Sequence, residues 1–233
     1  MQQTEEIVQQ NKQKNEKETI LLSFPRSGNH WVRFGIEWMT KRPTLGCDDN
    51  PRDIPISKNI FEENPLSEVS VGHPIATKHH YFKPQWHKEN VKILCIIRDY
   101  RECVFRHAQF FDNADIYAHL RNWMVICRNI TRFSGEKCII YYEDLMSEEK
   151  RSDAWHAIGK FFNVDESTIA EFLSKHDHFS NLSKNATGRD WGGSISGKDI
   201  KFHQSQISPE QLQKVTARVR AACIAREITE KYT

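Results

Sequence analysis

Three short groups of residues in this sequence carry side chains suited to holding an oxyanion and moving a proton. The first is Ser23-Phe24-Pro25-Arg26-Ser27-Gly28-Asn29-His30-Trp31. An apolar run precedes it and helical spacing follows it, so these residues read as a strand, a tight loop and a helix start. The first N–H groups of a helix have no intrahelical partner. Those donors, with the Ser27 hydroxyl and the Arg26 guanidinium, would make a compact site for phosphate or sulfate oxygens. Gly28 would let the backbone approach the anion with no Cβ in the way. An ordinary capped turn with an exposed arginine is the alternative for the same residues. A GxxxxGK[ST] loop is absent, which argues against a nucleotide triphosphatase.

The second group is Arg98 at the end of an apolar run, with Arg101 and Arg106 beyond it. The third is Thr77-Lys78-His79-His80-Tyr81-Phe82. Imidazole titrates close to neutral pH and suits a general base. Adjacent residues in extended chain point in opposite directions, so His79 and His80 should not both face one acceptor. His80 is the favoured base and His79 the main alternative. His73, in Gly72-His73-Pro74, reads as part of a turn. A surface cluster without chemistry is the plain alternative in a chain with 11 histidines.

The elements that must position these groups follow from apolar periodicity. Thr19 to Phe24, Val91 to Ile97 and Cys138 to Tyr142 read as core strands. Trp31, Phe34, Gly35, Trp38 and Met39 recur at spacings of three and four, one buried helical face. Helices are also expected over Arg101 to Phe111, Ile116 to Phe133, Ala154 to Phe162 and Glu166 to Lys175. A last helix is expected from Pro209, with Ser208 as its N-cap. Thr40 to Ile75 reads as an irregular excursion with short elements, and Phe179 to Gln206 as a loop. Apolar strands without clean alternation, separated by helices, imply an α/β fold: three layers, α/β/α, around a central parallel sheet. Ligands in such folds gather at the carboxyl ends of the strands. That would bring the Pro25 loop, Arg98 and Tyr142 to one edge if the three strands are neighbours.

The 233 residues suffice for one well-packed domain. Residues 1–17 read as a flexible N-terminal tail and 18–233 as a single domain. A formal charge of +2 says little about an anionic ligand, because a few placed cations outweigh net charge. Six cysteines show no CxxC spacing and no scaffold density, so no metal is called for and Cys95 and Cys138 read as buried thiols. The N-terminus has no apolar stretch of a secretory signal, and a cytoplasmic location is the default expectation.

Taken together, SFPRSGNHW resembles the 5′-phosphosulfate loop of sulfotransferases that use 3′-phosphoadenosine-5′-phosphosulfate (PAPS). His30 stands where that family usually has Thr. Ile96 to Val104 resembles the family's 3′-phosphate element, with Arg98 as its arginine and Arg106 where a serine is usual. Tyr142-Glu143-Asp144-Leu145 resembles a run near the donor nucleotide. Gly197-Lys198 followed by Ser208-Pro209-Glu210-Gln211 resembles the donor loop and final helix, although Ile200-Lys201-Phe202 replaces the usual Gly-x-Trp. The Lys78-His79-His80 run resembles the element that ends in the catalytic base.

This resemblance implies a sulfuryl transferase that converts PAPS to adenosine 3′,5′-bisphosphate (PAP) without a metal. The donor would be held by Arg26, Ser27, Gly28, Asn29, His30, Trp31, Arg98, Arg106, Tyr142, Gly197 and Lys198, with Arg189 competing with Lys198. His80 would act as base, with Lys78 and Arg26 offsetting charge. Trp31 would lie against adenine, while Tyr81, Trp86, Phe110 and Phe111 are free to line an acceptor pocket. The expected acceptor is a hydroxyl or amine of a small metabolite or sugar, with no nucleic acid and no membrane partner, and a homodimer is possible. A catalytically degenerate nucleotide-binding or interaction protein is the competing reading. A kinase-like phosphoryl transferase would need Mg²⁺ ligands and a fuller triphosphate loop.

Overall fold

The computed structural model describes residues 17–46, 74–110, 115–179, 208–222 and 225–232. Five strands pair in parallel: β1 (Glu18–Ser23), β2 (Thr44–Leu45), β3 (Ala76–His79), β4 (Val91–Ile97) and β5 (Lys137–Tyr141). Their order across the sheet is β2-β3-β1-β4-β5. Among the described residues the helices are α1 (Asn29–Thr40), α2 (Tyr100–Phe110), α3 (Ile116–Arg132), α4 (Tyr142–Met146), α5 (Arg151–Phe161), α6 (Glu166–Ser174), α7 (Pro209–Ala221) and α8 (Arg226–Tyr232). A 3₁₀ turn spans Pro84–His87.

Side chains alternate across a strand, so one apolar run feeds two cores. Ile20 and Leu22 of β1 and Ile93, Cys95 and Ile97 of β4 face α2, α3, α7 and α8. Leu21, Leu94 and Ile96 face the other way, onto α1, α4, α5 and α6. Burial on both faces removes any need for polar alternation, and each buried aliphatic contributes about 1.5–3 kcal/mol. The result is the three-layer α/β/α architecture expected from the sequence.

The β1–α1 unit leads to one side of β1, toward β2 and β3, and the β4–α2–α3–β5 unit occupies the other side. The winding direction therefore reverses at β1, the position where such sheets open a crevice at the carboxyl edge. Edge strand β2 is fastened from beneath. Buried Arg33 of α1 donates through Nε to Thr44 Oγ1 at 2.7 Å and through Nη2 to the Thr44 carbonyl. Buried Glu37 accepts from the Thr44 N–H and hydroxyl.

Expected and observed elements agree within a few residues, with three instructive differences. Strand β3 lies in a stretch with no apolar run, because its ladder to β1 is set by pairing rather than composition. Tyr142 opens α4 rather than ending β5. Helix α8 follows α7 as a further helix, while two-residue β2 is a short element of the kind expected between Thr40 and Ile75. Most of the two segments read as irregular, the N-terminal tail, Gly197, Lys198, Arg189 and His73 lie outside the described residues. No helix among the described residues is long and apolar enough to cross a membrane.

Candidate functional site

The strands end in register. Ser23 pairs with Ile96, Leu22 with His79, and Ile97 with Tyr141. The next residues of each strand, the Phe24–Gly28 loop, His80, Arg98 and Tyr142, therefore emerge along a single edge of the sheet.

The loop after β1 is tightly shaped. Gly28 has φ 81, and a Cβ built there would lie 2.5 Å from the Tyr142 ring. Both the backbone angle and the neighbouring ring exclude a side chain. Arg26 also has positive φ, at 66, which turns its side chain out to the surface while its carbonyl points inward. Partial burial lowers the Arg26 pKa, as desolvation does for a cation. Helix α1 begins at Asn29 without a side-chain cap on its first turn. The buried Asn29 amide instead donates to Ser23 Oγ at 3.0 Å, closing the loop on itself. Ser27 is fully buried, beside the Cys103 thiol of α2. Its hydroxyl lies inside the fold rather than at the surface.

Arg98 stands beneath this loop. It is 2% exposed, and its Nη1 donates to the Arg26 carbonyl at 2.8 Å. Its guanidinium lies 4.1 Å from the centre of the Tyr142 ring, and Nη2 is 3.9 Å from Glu102 Oε2. The Arg98 carbonyl accepts from Trp123 Nε1 at 3.0 Å. Arg98, Arg26, Gly28 and Tyr142 thus form one contiguous unit. Arg106, two turns on along α2, is half-buried.

The two adjacent histidines separate as alternation demands. His79 is buried and meets Trp86 edge-on, with ring centres 5.2 Å apart. His80 lies just past the strand, with Nδ1 2.8 Å from the Ser23 carbonyl oxygen. A carbonyl only accepts, so Nδ1 donates and the neutral ring carries its lone pair on Nε2. Asn122 of α3 donates to the His80 carbonyl at 3.2 Å, fixing the main chain at this point. Lys78 is buried on the strand, in register with Leu21.

Trp31 is half-buried, stacked on Phe34 at 5.8 Å and edge-on to His176 at 5.1 Å. Phe34, Trp38 and Phe105 are core residues, as their spacing requires. Trp86 is also core, packed on Phe82 and His79, which corrects its expected place in an acceptor pocket. Tyr81 is 64% exposed, one residue beyond His80. Asp115 caps α3 by accepting from Tyr117 N. His30 is half-buried on the first turn of α1.

Two residues that sequence reading passed over stand beside the loop. His107 of α2 and His119 of α3 are 4.7 Å apart and flank buried Phe24, at 5.4 and 6.4 Å. The available signal was spacing: His107 is one helical turn beyond Cys103, which lies under Ser27. Helix α8 supports the same edge from outside. Tyr232 donates to Glu143 Oε2 at 2.6 Å, while Glu143 Oε1 accepts from the Asp99 N–H at 2.9 Å.

No protein-family model matches the sequence, and no curated protein matches it. Among solved structures, the chain is similar to mouse sulfotransferase SULT7A1, determined as a complex with PAP. The two share 16% sequence identity, with a TM-score of 0.59 over 92% of this chain and 86% of that one. An all-parallel five-stranded sheet between two helical layers, with a strand–loop–helix turn at its switch point, gives this chain the sulfotransferase fold.

Proposed function

We propose that the protein is a PAPS-dependent sulfotransferase, with residues 18–233 as its working unit and a hydroxyl or amine on a small metabolite or sugar as acceptor. The observation that carries this reading is the meeting of Arg26, Gly28, Arg98 and His80 at one sheet edge, with Arg98 bonded to the Arg26 carbonyl. The structural neighbour was determined with PAP, which supports a nucleotide with two phosphate groups as the donor product.

The α1 N-terminus offers N–H donors and a positive dipole end to the 5′-phosphosulfate. Gly28 leaves that approach open. Arg26, at the surface of the loop, is assigned to the bridging oxygen, where negative charge grows as the S–O bond breaks. Arg98 shapes the loop from beneath and adds its charge to the same end of the sheet. Arg106 is assigned to the 3′-phosphate, together with Lys198 beyond the described residues. Trp31 is assigned to the adenine.

His80 is the base in this reading. Its Nε2 takes the proton of the acceptor O–H or N–H while the acceptor atom bonds to sulfur. The sulfur–oxygen bond to the 5′-phosphate breaks, PAP departs with that electron pair, and the histidine returns its proton to solvent. Buried Lys78 contributes positive charge on the adjoining strand. Cation and helix-end stabilisation with good positioning supplies the main rate enhancement.

Calorimetric titration with PAP, AMP and ATP tests the donor. PAP should bind at least tenfold more tightly than AMP, a difference of about 1.4 kcal/mol for reading the second phosphate. Equal affinities would remove the donor assignment.

A further inference from the structure

The edge of the sheet holds more imidazole than the transfer reaction uses. Phe24 is at the centre of this cluster. Its ring is buried, and His107 and His119 approach it from two different helices with their own rings in T-shaped contact at 4.7 Å. The residue before Phe24 holds His80 through its carbonyl, and Arg26 follows two positions later. Two imidazoles thus flank the Phe24 ring, and His80 and Arg26 belong to the same charge neighbourhood of His107.

The two flanking rings stand across the sheet from the N-terminus of α1. The N–H groups assigned to the phosphosulfate open α1, which packs on one face of the sheet. His107 and His119 stand on α2 and α3, which pack on the other face. Both histidines are half-buried, so each retains surface toward solvent. Burial first, and then the nearby basic groups His119, Arg26 and His80, hold His107 well below the ordinary imidazole range, at about 4. Asp115, the described carboxylate nearest to His119 in the chain, is committed to capping α3. Such surroundings, with the Arg26 guanidinium as their standing cation, favour an oxyanion, which can accept hydrogen bonds from ring N–H groups.

Resting on the sulfotransferase reading, we infer that His107 and His119 form the acceptor side of the site and select acceptors that carry an oxyanion, such as a carboxylate, beside the nucleophilic hydroxyl or amine. The pair binds this group while His80 faces the nucleophile. Neutral acceptors forgo the interaction, and amine cations meet the Arg26 charge while offering the ring N–H groups no acceptor.

The test uses the full chain saturated with PAP and three probes of similar size: 4-hydroxybenzoate, phenol and tyramine. Histidine ring signals are followed by NMR during each titration. 4-Hydroxybenzoate should move the His107 and His119 signals saturably and bind about tenfold more tightly than phenol, with tyramine weakest. His107→Gln and His119→Gln should each reduce that preference to about threefold or less. PAP affinity measured on the same samples reports whether the variants fold.

Phenol or tyramine binding as well as 4-hydroxybenzoate overturns the inference. So does an unmoved pair of ring signals at about 10 mM 4-hydroxybenzoate, or a preference that survives both substitutions. Intact PAP binding with any of these results sinks the acceptor inference alone. Absence of PAP binding by the parent protein overturns the donor reading and the inference with it.

Discussion

Arg98 Nη1 donates a 2.8 Å hydrogen bond to the main-chain carbonyl of Arg26. This contact ties the end of β4 to the loop after β1. The left-handed backbone at Arg26 is what turns its carbonyl inward and its side chain outward. One arginine is thus the buried anchor of a loop whose other arginine faces the surface.

Arg98→Met should destabilise the protein by about 3–5 kcal/mol, because buried Glu102 would lose the cation beside it. PAP affinity should fall in parallel as the loop loses its anchor. Urea unfolding and calorimetry measure the two effects; a loss of binding at unchanged stability would instead favour direct contact between Arg98 and the nucleotide.

Gly28→Ala combines a left-handed backbone with a Cβ 2.5 Å from the Tyr142 ring. We expect a stability loss of about 1–3 kcal/mol and weaker PAP binding, since ring and loop must separate. Tyr142→Leu in the same background should recover part of the loss by removing the ring. No recovery would show that backbone strain alone sets the cost.

The adjacent histidines should behave differently. His80→Ala is expected to lower turnover by about 10²–10⁴-fold while retaining PAP affinity, as loss of a general base does. His79→Ala removes a buried ring packed on Trp86, so its main effect should be on unfolding. Retained turnover in His80→Ala would transfer the base role elsewhere.

Stability should fall as the solution is acidified from about pH 6.5 toward pH 4. His107 is depressed to about 4 by burial and by its basic neighbours, and His176 is lowered mainly by burial. Within this window the unfolded chain binds more protons than the folded one, so stability rises with pH. His107→Gln should flatten the dependence measured by urea titrations at successive pH values. An unchanged slope would show that other groups control it.

Tyr232→Phe removes the hydroxyl that donates to Glu143. Glu143 is buried enough for its pKa to be raised, chiefly by desolvation, so the loss should cost about 1–3 kcal/mol. Hydrogen exchange at the Asp99 amide, which donates to the same carboxylate, should quicken. Protection equal to that of the parent would uncouple α8 from the loop edge.

Local chemistry was legible in the sequence where a short segment determines its own conformation. Val91–Ile97 is a strand at the bounds its apolar run implies, and Ser208 caps α7 by accepting from Gln211 N. The β1 loop was legible for the same reason: a glycine between an apolar run and a helical stripe leaves few alternatives. Strand β3 was not, because Ala76-Thr77-Lys78-His79 becomes a strand through its ladder to β1.

The sequence by itself determined a parallel α/β chain and supplied the residues proposed here as an anion loop and an imidazole base. Periodicity and turn chemistry are local properties, and apolar runs buried on both faces imply helical layers. Only the tertiary structure decided how those residues are used. Register put His79 against Trp86 and His80 on the Ser23 carbonyl. Packing placed Arg98 beneath the loop and brought His107 and His119 together from separate helices. Burial and long-range contact depend on which distant segments meet, and no local pattern contains that information.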